Sequence, residues 1–204
     1  MKISYIIPLL FTLVGQINGY VKLPSILTTL NEPMEYVKVF PYNYHWRIIF
    51  SNEAAILKRV FGKKRVVRIE HFGSTSIPGM SAKPVVDIII GLNKFNLDDN
   101  ELEMLLNLGY NFIEKSSYCQ RFYFQKRGPL NINLSFTTYQ SETWKDCLSV
   151  RDYLRTHPDS MQKYATVKNE AIAKGYLSID KYSAYKQDFF KHLVKNARVW
   201  WGND

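Results

Sequence analysis

Two cysteines in 204 residues, Cys119 and Cys147, are too few for a disulfide framework, and no Cys or His spacing of the zinc-binding kind occurs. The four histidines are scattered, and only His71, beside a glycine turn, is placed to serve a site. No Gly-x-x-x-x-Gly-Lys-Ser/Thr segment is present, which excludes a P-loop kinase site. The apolar N-terminal stretch 3–14 has only twelve residues, too short for a comfortable membrane span. Acids are also in deficit, 18 against 27 Lys and Arg, and the net charge of +9 favours anionic partners such as nucleotides, RNA or acidic lipid. What is plentiful is core-forming material: 46% hydrophobic and 15% aromatic residues predict one globular domain with a substantial core.

Lys2 followed by the apolar stretch 3–14 has the proportions of a secretory signal, and Gly15 and Gly19 could flank a cleavage point. Residues 1–19 are therefore expected to be a signal peptide or N-terminal anchor, with the domain exported or membrane-anchored. The competing readings are a buried extension or a misplaced start, and the domain is then cytoplasmic. Residues 20–36, which contain Pro24 and Pro33, read as a linker, and 37–198 as the domain.

Within the domain, Trp46, Ile49, Phe50, Ala54, Leu57 and Val60 recur at helical spacing, predicting a helix over 43–61. Val66–Phe72 is β-branched and aromatic and reads as a strand, and 85–90 as a second, almost wholly apolar one. A helix is expected over 97–108, with Asp98 and Asp99 at its positive end and Gly109 after it. Three short strands follow at 110–113, 119–126 and 130–136, and from Ser141 the pattern is helical. The expected class is α/β (α+β): a mixed twisted sheet flanked by helices, with a helical C-terminal third.

The chemistry concentrates between His71 and Leu92. A strand runs directly into Gly73-Ser74-Thr75-Ser76, where glycine lets the backbone approach a ligand and hydroxyls stand beside exposed N–H groups, a place that suits an anion. Asp87 lies inside the apolar strand, where a bare carboxylate would be costly without a cation, a metal or donors. Period two puts Asn131, Asn133 and Ser135 on one face of the 130–136 strand. Farther on, Tyr164/Lys168 and Tyr182/Lys186 are i, i+4 pairs. Their lysines, with Arg151, either converge on a polyphosphate or pack along tyrosine faces.

The stretch GSTSIPGMSAKPVVD resembles the GrpB family, whose signature runs roughly GST-x-x-PG-x-x-x-KP-x-x-D, within the DNA polymerase β-like nucleotidyltransferase superfamily. RDYLR-x-HP from Arg151, Y-x-x-x-K from Tyr164 and Y-x-x-x-K-x-x-F from Tyr182 resemble the family's C-terminal half, so the likeness covers about 37–193. It implies a nucleotidyltransferase-like fold and a nucleotide with Mg²⁺ bound across Gly73, Ser74, Thr75, Ser76 and Asp87. Lys83, Arg121 and Arg151 are the expected phosphate partners, and Asp87 and Asn133 the expected metal ligands. Two departures bear on activity. The superfamily pairs acids two apart on one strand face, but Ile89 follows Asp87, and asparagines stand where relatives carry histidine near 131–133. Transfer is therefore expected to be weak or absent. The alternatives are a non-catalytic module for RNA or a protein partner, and an accessory role in coenzyme A metabolism, since GrpB-like domains occur fused to dephospho-CoA kinases.

Overall fold

In the computed structural model, residues 37–116 and 119–202 are described. The expected signal and linker, 1–36, lie outside them. Helix α1, His45–Phe61, turns one face inward through Trp46, Glu53, Leu57 and Phe61, and the Asn43 side chain accepts the His45 amide at its start. Strand β1, Val66–Phe72, pairs antiparallel with β2, Val86–Leu92. β2 pairs parallel with β5, Ile132–Thr138, and the sheet continues antiparallel through β4, Arg121–Lys126, to β3, Asn111–Ser116, in the order β1-β2-β5-β4-β3. This is the α/β class expected.

Alternation divides the sheet into two faces. Ile88, Ile90, Phe122, Phe124, Leu134 and Phe136 pack with Leu57, Phe61 and Leu105 into the main core, on the side of α1 and of α2, Asp99–Asn107. The start of α2 is fixed by a reciprocal capping box between Asp98 and Glu101, and Arg65 clamps Glu101 at 2.6 Å. Arg65, one of several basic residues between Lys58 and Arg68, is thereby structural.

The other face is covered in part. Helix α3, Glu142–Thr156, brings Trp144 and Leu148 onto Ile89. A Cβ on Gly91 would come within 2.9 Å of the rings of Trp144 and Tyr139, so only glycine admits this approach. Helix α4, Pro158–Ala173, starts with Pro158 in its first turn, as its fixed φ favours, and α5, Ile179–Trp201, packs back on α3. Arg198 joins those two helices through Asp146 at 2.6 Å and Glu142 at 2.7 Å. Ile77 and Met80 of the β1–β2 connection are buried with Val150, Leu154, Tyr164 and Leu193, which fixes that connection against the helical third.

Candidate functional site

The glycine turn is built as its sequence suggests. Gly73 has φ +69°, and a Cβ there would lie 2.3 Å from Asp87 Oδ2, so glycine both permits the backbone and admits the carboxylate. Ser74–Ser76 form a single 3₁₀ turn whose first hydrogen bond runs from the Ser76 amide to the Gly73 carbonyl, so the Ser74 and Thr75 amides precede it.

His71 holds this turn from behind. Thr75 Oγ1 donates to the Val85 carbonyl at 3.2 Å and accepts from His71 Nε2 at 3.0 Å, which makes His71 the Nε2–H tautomer. Burial, with Arg155, Arg151 and Arg47 nearby, depresses the His71 pKa to about 3. The ring stacks on Phe50 at 4.9 Å. His71 is thus a buried neutral support for the turn.

Asp87 and Asn133 are direct partners in the parallel β2–β5 register, and Asn133 Nδ2 donates to Asp87 Oδ1 at 2.8 Å. Arg127 donates to Asn133 Oδ1 at 2.9 Å. An arginine can only donate and a carboxylate accepts, so the amide orientation is settled by its two neighbours. Burial raises the Asp87 pKa, opposed by the Asn133 hydrogen bond and by the charges of Lys186, Lys83 and Arg127.

These groups open onto a cavity of about 260 Å³. Ser74, Thr75 and Asp87 form one wall, Tyr123, Gln125, Arg127 and Asn133 the next, and Lys168, Tyr182 and Lys186 of α4 and α5 the third, with Lys83 at the side. Lys168 is only 2% exposed. Its Nζ donates to the Ser81 carbonyl at 2.6 Å and to Ser74 Oγ at 3.3 Å, and it sits 5.1 Å from the Tyr164 ring. Burial and the neighbouring Lys186 push its pKa down to about 7. Lys186 lies 5.0 Å from the Tyr182 ring. Each lysine therefore packs on its tyrosine and also lines the cavity.

Of the residues singled out from sequence, Ser74, Thr75, Lys83, Asp87 and Asn133 line the cavity, with Gly73 against Asp87. Three are placed elsewhere. Ser76 turns its hydroxyl to the Gly73 carbonyl at 2.6 Å. Arg151 is spent on Glu70 at 2.7 Å, Asp152 at 2.7 Å and the His71 carbonyl. Arg121 shares a strand face with Tyr123 but pairs with Glu114 at 2.5 Å, two residues nearer α3. Tyr123, Gln125 and Arg127 were not expected at the site: the first two are placed by the β4–β5 register, Gln125 opposite Asn133 and Tyr123 opposite Ser135, and Arg127 follows directly on β4.

The donor set limits which metal chemistry fits. Among the described residues no three His, Cys, Asp or Glu side chains gather as ligands. Asp87 is the one carboxylate on the cavity wall, and the Asn133 oxygen faces Arg127. This suits one Mg²⁺ held by a single carboxylate, water and ligand phosphates, and does not suit a two-metal centre.

A family model described as GrpB protein matches residues 36–196. The UPF0157 protein YqkA of Bacillus subtilis is 33% identical over 169 residues, 82% of this chain and 49% of that protein. A protein named dephospho-CoA kinase, from Mycolicibacterium paratuberculosis, is 26% identical over 192 residues, 80% of this chain and 46% of its own. The chain thus spans about half the length of these two relatives. The crystal structure of the conserved protein GrpB from Enterococcus faecalis superposes with a TM-score of 0.70 at 27% identity, covering 80% of this chain and 99% of that one.

Proposed function

The chain belongs to the GrpB family, and from that premise we propose that its cavity binds a nucleoside triphosphate with one Mg²⁺ and transfers the nucleotidyl group slowly or not at all. The observation that carries this reading is the charge of the cavity: Lys83, Arg127, Lys168 and Lys186 line it against the single carboxylate of Asp87. Phosphate oxygens take the Ser74 and Thr75 amides and the Ser74 hydroxyl, while the lysines offset their charge. The Thr75 hydroxyl does not take part, since it is engaged by His71 and Val85. Asp87 would hold the Mg²⁺, which when bound neutralises phosphate charge and polarises a phosphoryl oxygen. Asn133 acts on Asp87, orienting its carboxylate, while Arg127 fixes Asn133.

Weak transfer follows from the second carboxylate position. Ile89 is buried with Trp144 and Leu148, so α3 fills the space where a second metal ligand would stand. An accessory role in coenzyme A metabolism is a second reading, favoured by the relative named dephospho-CoA kinase. A module for RNA or a protein partner is the outcome if nucleotides do not bind, and the excess of basic residues favours it.

Calorimetry with each of the four triphosphates, with and without Mg²⁺, tests the proposal. Ser74→Ala or Asp87→Asn should weaken binding by about 2–3 kcal/mol, on the order of 30- to 150-fold. Wild-type affinity in both variants, or no binding below the millimolar range, would contradict it.

A further inference from the structure

Lys168 is an unusual lysine for a site that only gathers phosphate. It leaves α4 one turn after Tyr164, is buried, and hydrogen-bonds two neutral oxygens, the Ser81 carbonyl at 2.6 Å and the Ser74 hydroxyl at 3.3 Å. The titratable groups around it are Tyr164 on its own helix, Tyr182 and Lys186 on α5, Lys83 beside the turn, and Asp87 on β2. A lysine that is desolvated and set beside a second cation loses its proton easily and becomes a nucleophile. The downward pull on its pKa by burial and Lys186 has the same direction.

We propose that Lys168 captures phosphate-bearing aldehydes as an imine, with Lys83, Lys186 and Arg127 gathering the phosphate; this rests on the cavity being the phosphate site proposed above. The neutral Nζ attacks the carbonyl carbon, and the carbonyl π electrons move to oxygen. Both amine protons leave with that oxygen as water, and a carbon–nitrogen double bond remains. No oxidant or reductant is needed, and water reverses the step.

The probe is pyridoxal 5′-phosphate, added to the full chain near neutral pH. Borohydride then reduces the imine to a stable secondary amine for intact mass and peptide mapping. A single adduct at Lys168 is expected, forming about tenfold faster than with unphosphorylated pyridoxal because the cationic wall concentrates the anion. Inorganic tripolyphosphate should protect the site, and Lys168→Arg, which keeps the charge without the nucleophile, should lose the adduct. If that variant does not fold, the wild-type peptide map decides alone. Labelling spread over other lysines, or equal rates for the two aldehydes, would overturn the inference. Triphosphate binding by calorimetry without an adduct at Lys168 would overturn this inference and leave the proposed function standing; absence of both would overturn both.

Discussion

The two faces of strands β2 and β5 use the same backbone for opposite ends. On one face Ile88, Ile90, Leu134 and Phe136 are fully buried in apolar contacts. On the other, Asp87 and Asn133 stand at the end that α3 leaves open, and Ile89 lies at the end that α3 covers. The apolar face is where folding gains. The open end holds groups whose charged forms burial disfavours, Asp87 with its pKa raised and Lys168 with its pKa lowered. Ionisable groups kept at the proposed site cost stability, and the covered face supplies the margin.

Substitutions separate the two faces. Phe136→Ala should show the largest effect, a loss of about 3–5 kcal/mol in denaturant unfolding, with triphosphate affinity of the folded fraction unchanged. An affinity loss as large as the stability loss would show that the faces are not independent. Gly73→Ala acts on both properties, because the new Cβ meets Asp87 Oδ2 and the backbone stays at φ +69°. A stability loss of about 1–3 kcal/mol is expected together with weakened binding. Wild-type behaviour would show that the turn can relax.

The folded-state pKa of His71, near 3, lies below the ordinary value of 6.5, so the neutral ring is favoured by folding. Its contribution is complete above about pH 6.5 and is lost as pH falls towards 3. Unfolding midpoints should therefore fall with acid through this window, and His71→Gln should flatten the fall. An unchanged profile would remove the neutral tautomer from the account.

Asp87→Asn should have the smallest effect on stability. A raised carboxylate pKa means that folding favours the protonated form, an advantage present below the unfolded pKa and lost as pH rises through the folded one. At neutral pH the variant should be as stable as the wild type or slightly more so, yet lose the Mg²⁺-dependent part of its affinity. A marked destabilisation would make Asp87 a structural residue.

How much of this was legible depended on the range over which each feature is decided. Val66–Phe72 was readable to the residue because a β-branched run is bounded locally by basic residues and Gly73. β2 and β5 each run two residues beyond their expected ends, because Gly91 pairs with Thr137 and Leu92 with Thr138, and that is decided by the partner strand. Asp87 and Asn133 were expected together only from the family resemblance, since period two orders the residues within each strand while the β2–β5 register decides which faces match. The fate of Arg151 could not be read, since its partner Glu70 is 81 positions away and the helix had to be docked before the pair existed. The Tyr164/Lys168 spacing was visible, but not that this helix face meets the loop carrying Ser81.

A crystal structure with a non-hydrolysable triphosphate analogue and Mg²⁺ would show where the phosphates sit. Phosphate oxygens are expected on the Ser74 and Thr75 amides, Mg²⁺ on Asp87, and Lys168 and Lys186 facing the phosphates. Analogue bound elsewhere on the surface, or seated in the cavity with its phosphates turned away from the Gly73 turn, would contradict it.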